Sequence, residues 1–403
     1  MYTLAERTRP SFSFIAMKLT AAARRWTYWA GVVVFIVLGM LFSDWAARQD
    51  FWPKARYVTY QFLTTLSWRK ALPQNTVVVL VDDDEYWRGE PARRVPIKRA
   101  YLAKLLRAID AAEPAVIAVD FDLSSPTPDG SVVEHPDYVE ETATLLRTIR
   151  ELAARRKIVL PQNIGFDARG DYVLASDIHS KYDFGAAAGS VGKGYIALPY
   201  DVSRVPLALP LAGGGSVDSF ALAIVKAYNA DALARLPEGA SHFPLGGFIE
   251  PGRFHTVAAG DVLRSAPAAL QRLSHRAVIV GAGWHVLAYG TGPLADLHAT
   301  PVGAVGGALL HANFVEAIVD GRLFSPAGEL FLKALEFFLA LGGALLFALR
   351  MKAAAKWGIV LGATVVLFVA SYLALQNLGV FFESFLPIVF VWLHALLHRM
   401  ALE

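Results

Sequence analysis

Cysteine is absent from all 403 residues. That excludes disulfides, thiolate metal sites and a cysteine nucleophile. The absence suits a bacterial periplasm, where an unpaired thiol is a liability. A charge excess is also missing: 38 Lys and Arg against 35 Asp and Glu leave a formal +3. Nucleic-acid binding wants a dense basic face, so this balance argues against it. No HExxH or comparable ligand spacing points to a metal. No repeat period or low-complexity segment occurs, and no cofactor is implied.

What the chain has in excess is apolar residue, 55% of the total. Much of it lies in four runs, Trp26–Phe42, Leu330–Leu349, Trp357–Leu375 and Val380–Leu397. A bilayer core about 30 Å thick needs about 20 apolar residues in helix. The second and third runs meet that length. The fourth is continuous apart from Glu383 and Pro387, and the first is short unless Ser43–Ala47 extend it. Ala46–Ala47 would also suit a signal peptidase. Because the chain carries Met1, the first run is expected to stay as an uncleaved anchor.

The basic residues orient these runs. Arg7, Arg9, Lys18, Arg24 and Arg25 precede the first; Arg350, Lys352 and Lys356 fill the turn between the second and third; Arg399 follows the fourth. The turn Gln376–Gly379 has no Lys or Arg. Basic flanks stay cytoplasmic. The expected organisation is a cytoplasmic segment 1–25, a first helix 26–47, a periplasmic domain 48–328, three helices in 329–399 and a cytoplasmic tail 400–403. Both termini are then inside. Gly342, Gly343, Gly358 and Gly362 are small residues that let helix backbones approach closely in lipid. They suit either a partner or packing of the C-terminal helices on one another. Lys333 and Glu336 sit where snorkelling to the outer interface would explain them.

Between the first and second runs the pattern alternates. Thr76–Val81 (TVVVLV) is a β-branched run, as in a strand buried on both faces of a parallel sheet. Lys98–Ala112 has helical apolar spacing, Ala115–Val119 reads as a second buried strand, and the three make a βαβ unit. Glu140–Arg156 reads as helix, Lys157–Leu160 and Ala277–Gly281 as strands, and Gly306–Val319 as helix. Residues 185–210 and 239–252 are loop-rich. Tyr57–Lys70 is amphipathic, a linking stalk or a packed helix. The expected fold class is an α/β periplasmic domain with a largely parallel sheet, plus four transmembrane α-helices.

Two predicted strands end in carboxylates, Asp82-Asp83-Asp84 and Asp120 with Asp122. The carboxyl ends of parallel strands form the ligand crevice of such sheets. If the strands are neighbours, these groups converge and could hold a cation or a cationic ligand. Turn chemistry and pairing with Arg93, Arg94, Lys98 or Arg99 would explain them equally. VVVLVDDDE also has the shape of a phosphatase strand with a nucleophilic Asp, but Tyr86 stands where a Thr or Val belongs. Gly281-Ala282-Gly283 is a weak phosphate-turn signal, better explained as a tight turn. His298, His311 and Asn313 are polar residues in largely apolar surroundings.

These residues carry a resemblance. VVVLVDDDE (77–85), Pro96–Arg99 with YLAKLL, VIAVDFDLSSP (116–126), Gly192–Ile196, Asp201, Arg204, Pro206-Leu207, AVIVGAG (277–283), Thr300-Pro301 and Gly306–Asn313 with His311-Ala312-Asn313 resemble the CHASE sensory domain of the second type. That domain is extracellular in bacterial cyclases and histidine kinases and precedes three membrane helices. The resemblance runs from Tyr57 to the C-terminus. Val202 departs from it, and so does Ala288-Tyr289-Gly290-Thr291, where an acidic residue is expected; Asp296 stands further on. Relatives continue into a kinase or cyclase domain, whereas this chain stops at Glu403. The strand ends and the resembling motifs together make Asp82, Asp84, Arg99, Asp120, Asp122, His311 and Asn313 the candidate ligand-binding residues. The expected function is a membrane-anchored sensor that passes ligand binding or assembly state to a partner. That partner would be a second copy or another membrane or cytoplasmic subunit. The alternatives are an accessory subunit with a docking ectodomain and, further off, a metal-dependent hydrolase.

Overall fold

The structure, a computed structural model, describes residues 71–124, 135–198, 203–236, 242–349 and 351–382, with scattered positions between 26 and 66 and Trp392. The 1–25 segment, Arg24, Arg25, Asp201, Arg350, Arg399, the C-terminal tail and nearly all of the fourth run lie outside the described residues. The chain divides into two units, Tyr60–Pro326 and Met1–Thr59 with Ala327–Glu403.

The larger unit is built on a six-stranded sheet. Its strands are β1 (Thr76–Val81), β2 (Val116–Val119), β3 (Lys157–Gln162), β4 (Val191–Tyr195), β6 (Thr256–Ala258) and β7 (Ala277–Ala282), and every pairing is parallel. A two-residue strand β5, Leu245–Gly246, lies outside this sheet. The sheet order is β6-β1-β7-β2-β3-β4. β1 and β2 are therefore not neighbours, because β7 lies between them. Register places Val78, Ile279, Ala118 and Val159 in one row across four strands, all buried. The absence of a polar alternation in these strands follows from helices on both faces.

One face carries α1 (Arg99–Asp110), α2 (Tyr138–Ala153) and α4 (Ala259–Leu263), whose apolar stripes meet Val77, Val79, Ile117, Val119, Leu160 and Val280. The other carries α3 (Phe220–Tyr228) and α5 (Gly307–Val319). α3 lies just past the loop-rich 185–210 stretch. Ser219 caps it, its hydroxyl accepting from Leu222 N at 3.1 Å. A hairpin of β8 (Leu297–Thr300) and β9 (Gly303–Gly306) leads into α5, and β10 (Leu323–Pro326) follows it.

α5 is buried on all sides; of its residues only Leu309 is not. Burying Leu310, Phe314, Val315 and Ile318 stabilises by about 1.5–3 kcal/mol each. Such a helix should be apolar throughout, yet it carries His311, Asn313 and Glu316, all at or below 3% exposed. Asn313 accepts from Ile249 N at 2.9 Å and donates to Gly247 O at 3.2 Å. The Glu316 carboxylate accepts from Asn75 N at 2.9 Å, Thr76 N at 2.8 Å, Thr76 Oγ1 at 2.7 Å, Asn75 Nδ2 at 2.8 Å and Gln74 N at 3.3 Å. It thus fixes the chain at the start of β1. The two ends of this unit meet at one place: the Tyr60 hydroxyl donates to Gly246 O, and β10 pairs with Leu245–Gly246.

The smaller unit is helical. α6 spans Glu329–Ala348 and α7 spans Ala353–Leu378, the latter ending on Gly379 at φ 64°, a left-handed cap. Described positions between Trp26 and Trp45 are helical, and Ile36 packs against Trp29, Met40 and Ala340. Trp392 Nε1 donates to Thr364 Oγ1 at 3.1 Å. Among the described residues one segment, Ala354–Leu378, is long and apolar enough to cross a membrane, with mean hydropathy 2.3. Lys333 pairs with Glu329 at 3.1 Å. A Cβ at Gly342, Gly358 or Gly362 would meet nothing within 4 Å among the described residues.

Candidate functional site at the carboxyl edge of the sheet

The carboxylates that end β1 and β2 lie on one edge, where Asp82, Asp83, Asp84 and Asp122 each bond to a partner of its own and Asp120 does not. Asp82 Oδ1 accepts from Glu85 N at 3.1 Å, a turn contact. Asp83, outside the predicted set, is the more heavily bonded. It accepts from His285 N at 2.7 Å, pairs with His285 Nδ1 at 2.6 Å and accepts from Gly290 N at 2.9 Å. Burial pushes its carboxyl up, yet these bonds hold it below its ordinary value. Asp84 accepts from the Tyr289 hydroxyl at 2.8 Å, and Arg88 stands 3.8 Å over the same ring. The acidic string after β1 therefore clamps the hairpin arm that leaves β7 at Gly283. The Trp284 ring, stacked 4.1 Å from Tyr86, supports the arm from below.

In the middle of the edge, Asp120 and His311 face each other with side chains 8% and 4% exposed, Oδ1 to Nε2 at 3.7 Å. That is too long for a hydrogen bond. Burial pushes the Asp120 carboxyl up to about 8, with the Asp296 charge adding and His298 opposing. Burial pulls the His311 imidazole down to about 4. Asp296 and His298 complete the group, paired at 2.7 Å. That bond lowers the Asp296 carboxyl and raises the His298 imidazole. Two glycines admit the two carboxylates. A Cβ on Gly281 would come within 3.3 Å of Asp120 Oδ2, and one on Gly307 within 1.8 Å of Asp296 Oδ2. The Gly281–Gly283 turn is thus used for close packing, not to cradle phosphate.

On the β2–β3 side, Asp122 accepts from Ser124 N at 2.7 Å and Asn163 Nδ2 at 2.7 Å. Arg99 is 1% exposed; its guanidinium donates to Thr142 Oγ1 and to Ser124 O, both at 3.2 Å, and lies 4.4 Å over the Tyr138 ring. Behind it Gln162 donates to Asp177 Oδ2 at 2.6 Å. The fully buried His179 has neither ring nitrogen hydrogen-bonded, and burial with Lys193 and Arg99 nearby lowers it to about 4.

The seven predicted residues thus divide. Asp82 serves its own turn and Asp84 the arm, Asp120 and His311 form the central pair, Asp122 and Arg99 belong to the β2–β3 network, and Asn313 faces the 247–249 loop. Arg93, Arg94 and Lys98 go elsewhere: Arg93 over Trp87, Arg94 to Glu141 and Lys98 to Glu90. Asp296 and His298 are noted in the sequence reading but not placed at the site; outside that reading lie the partner His285, Asp177 with His179, and the Glu316 clamp. Three polar residues in an apolar helix were the available signal for the last. Among the described residues no group of three or more His, Asp or Glu side chains is placed to hold a metal ion. The edge gathers four titratable groups at its centre and leaves His179 and Asp177 Oδ1 with hydrogen-bonding capacity among the described residues.

The family model described as CHASE2 domain matches residues 31–349 of the chain. No curated protein matches the chain. No solved structure matches it.

Proposed function

The chain belongs to the CHASE2 family of sensory, extracellular-type domains, and from that premise we propose that it is a membrane-anchored sensor subunit. The Tyr60–Pro326 unit stands outside the inner membrane, the chain crosses four times with both termini in the cytoplasm, and the signal passes to a partner protein. One observation carries the reading: α5 joins the sheet edge to the segment where the chain comes in. His311 near its start faces Asp120, and Glu316 near its end holds residues 74–76. A shift of population between two positions of one helix would move the incoming and outgoing segments together.

The topology rests on the basic flanks and on the apolar surface of α6 and α7, where Leu330, Phe338, Val366 and Leu378 are exposed. Because the chain lacks cysteine, single cysteines at Ser131 and Lys352 test it. An impermeant thiol reagent labels the first in spheroplasts and spares the second; reversed labelling overturns the topology.

The partner is a second copy or a separate subunit, seated at Gly342 on α6 or at Gly358 and Gly362 on α7, positions with open space beside them among the described residues. A cysteine at Gly358 is expected to cross-link to that partner in native membranes, with a yield that Asp120→Asn changes several-fold. A yield indifferent to Asp120→Asn overturns sensing. The docking-subunit reading draws on the arm, whose Val286, Leu287 and Leu294 are exposed. It predicts cross-linking through Leu287 and none through Gly358.

A further inference from the structure

Resting on that sensory reading, we infer that the stimulus read at the middle of the edge is the proton. Asp120, Asp296, His298 and His311 form one titrating cluster that seats the N-terminal end of α5 when loaded and loosens it when a proton leaves.

The cluster is closed to other charges. β7 contributes Gly281, and α3 contributes the Phe220 ring, 5.1 Å from His311. β9 has no titratable residue, and the other titratable group of α5, Glu316, is held by residues 74–76. Towards β1, Asp82 and Asp83 are bonded to Glu85 N and to His285 and Gly290; towards β3, Asp122 is bonded to Ser124 and Asn163. The cluster is open to water on one side, since the Asp296 side chain is 53% exposed and His298 28%.

Loaded, the cluster holds a neutral Asp120–His311 pair beside an Asp296⁻–His298⁺ pair. When the Asp120 proton leaves to water, a second carboxylate charge appears beside Asp296, and no hydrogen bond supports it. Both lie against the start of α5, Asp120 across Gly281 from Ala308 and Asp296 on Gly307. Repulsion there acts on the first turn of the helix.

The direction follows from proton linkage. Asp120 is raised from 3.8 to about 8 when folded, so it contributes stability that is full at low pH and is lost as pH rises towards 8. His311 is lowered from 6.5 to about 4, so its contribution is lost as pH falls from 6.5 towards 4. The two oppose each other between about pH 4 and 6.5. Above that only the loss at Asp120 remains, joined by loss of the raised His298. The β8–β9–α5 segment is therefore tightest near pH 6 and loosens towards pH 8.5.

Hydrogen exchange on the full chain in nanodiscs, corrected for the intrinsic rate at each pH, tests this. Protection over residues 297–311 is expected to fall by more than tenfold between pH 6.5 and 8.5, since one proton is held across about 1.5 of those units. Asp120→Asn removes most of the fall and leaves the smaller part that His298 contributes. Asp296→Asn, which removes the repelling charge, moves the midpoint to lower pH and keeps the test available if Asp120→Asn does not accumulate. A flat wild-type profile, a midpoint unchanged by Asp120→Asn, or one unmoved by Asp296→Asn overturns the inference. A normal pH profile with a Gly358 cross-link indifferent to Asp120→Asn supports proton binding and overturns the sensory reading instead.

Discussion

Replacing Glu316 with alanine destabilises the 60–326 unit by about 3 kcal/mol or more, because each buried donor left without an acceptor costs about 1–3 kcal/mol. Thr76 is fully buried, and its N–H and hydroxyl both donate to Glu316. With the carboxylate gone these donors face a cavity, and Asn75 loses both of its bonds to the same group. Glu316→Gln keeps one acceptor oxygen and should lose about half as much. Thr76→Val removes a single hydroxyl donor and should cost about 1 kcal/mol. Urea unfolding of the full chain in micelles, followed by tryptophan fluorescence, ranks the three. A loss below that of Thr76→Val in the alanine variant would show that Glu316 is not the clamp.

Glu141→Ala is expected to cost about 3–5 kcal/mol at neutral pH, the range for stripping one partner from a buried ion pair. Arg94 and Glu141 side chains are 12% and 9% exposed, and Arg94 Nη1 donates to Glu141 Oε1 at 2.9 Å. The same carboxylate accepts from Arg99 N at 3.1 Å, so one group ties the 91–98 loop, the start of α1 and the first turn of α2 together. Removing it leaves the Arg94 charge buried. The double variant Arg94→Met, Glu141→Ala removes both charges and should recover part of the loss, since the two sites share one contact. A double variant that loses the sum of the two single losses would mean that the pair contributes no coupling.

The sheet was legible where strands were fully apolar. Thr76–Val81 matches its sequence reading, and Val116–Val119, Lys157–Gln162 and Ala277–Ala282 differ from theirs by a residue or two. Fully buried parallel strands leave that mark because both faces exclude water. Strand order was not legible, since nothing in the local pattern of Ala277–Ala282 says that it inserts between β1 and β2. α3 escaped because FALAIVKAY is apolar nearly all round and shows little period; Ser219 before it was the usable sign. β4 escaped because VGKGY is rich in glycine. Gly194 is required there, as a Cβ would lie 2.6 Å from the Phe220 Cα.

At the site, the carboxylates could be found from strand ends, but their partners could not. Asp296 looks too far from Ala282 to replace the acidic residue that follows the last strand in the family. The arm folds back on itself, with Ala295 N bonded to Trp284 O at 2.8 Å. Asp296 therefore returns to the strand end that Gly283 left. Asn313 enters the candidate set with His311 through the His311-Ala312-Asn313 element. Two positions on in a helix, it points to a different face and serves the 247–249 loop.

The place of β7 has a consequence for biogenesis. Thr76 pairs with Ala277, so β1 waits for a strand made about 200 residues later, and long sequence separation slows folding. Until that strand is made, the inner edges of β1 and β2 stay open to other chains. A ribosome stalled before residue 277 would release an unclosed sheet, prone to aggregation. Truncations ending just before and just after β7 should therefore differ sharply in protease resistance. The sheet closes late, after most of the domain's sequence has been made.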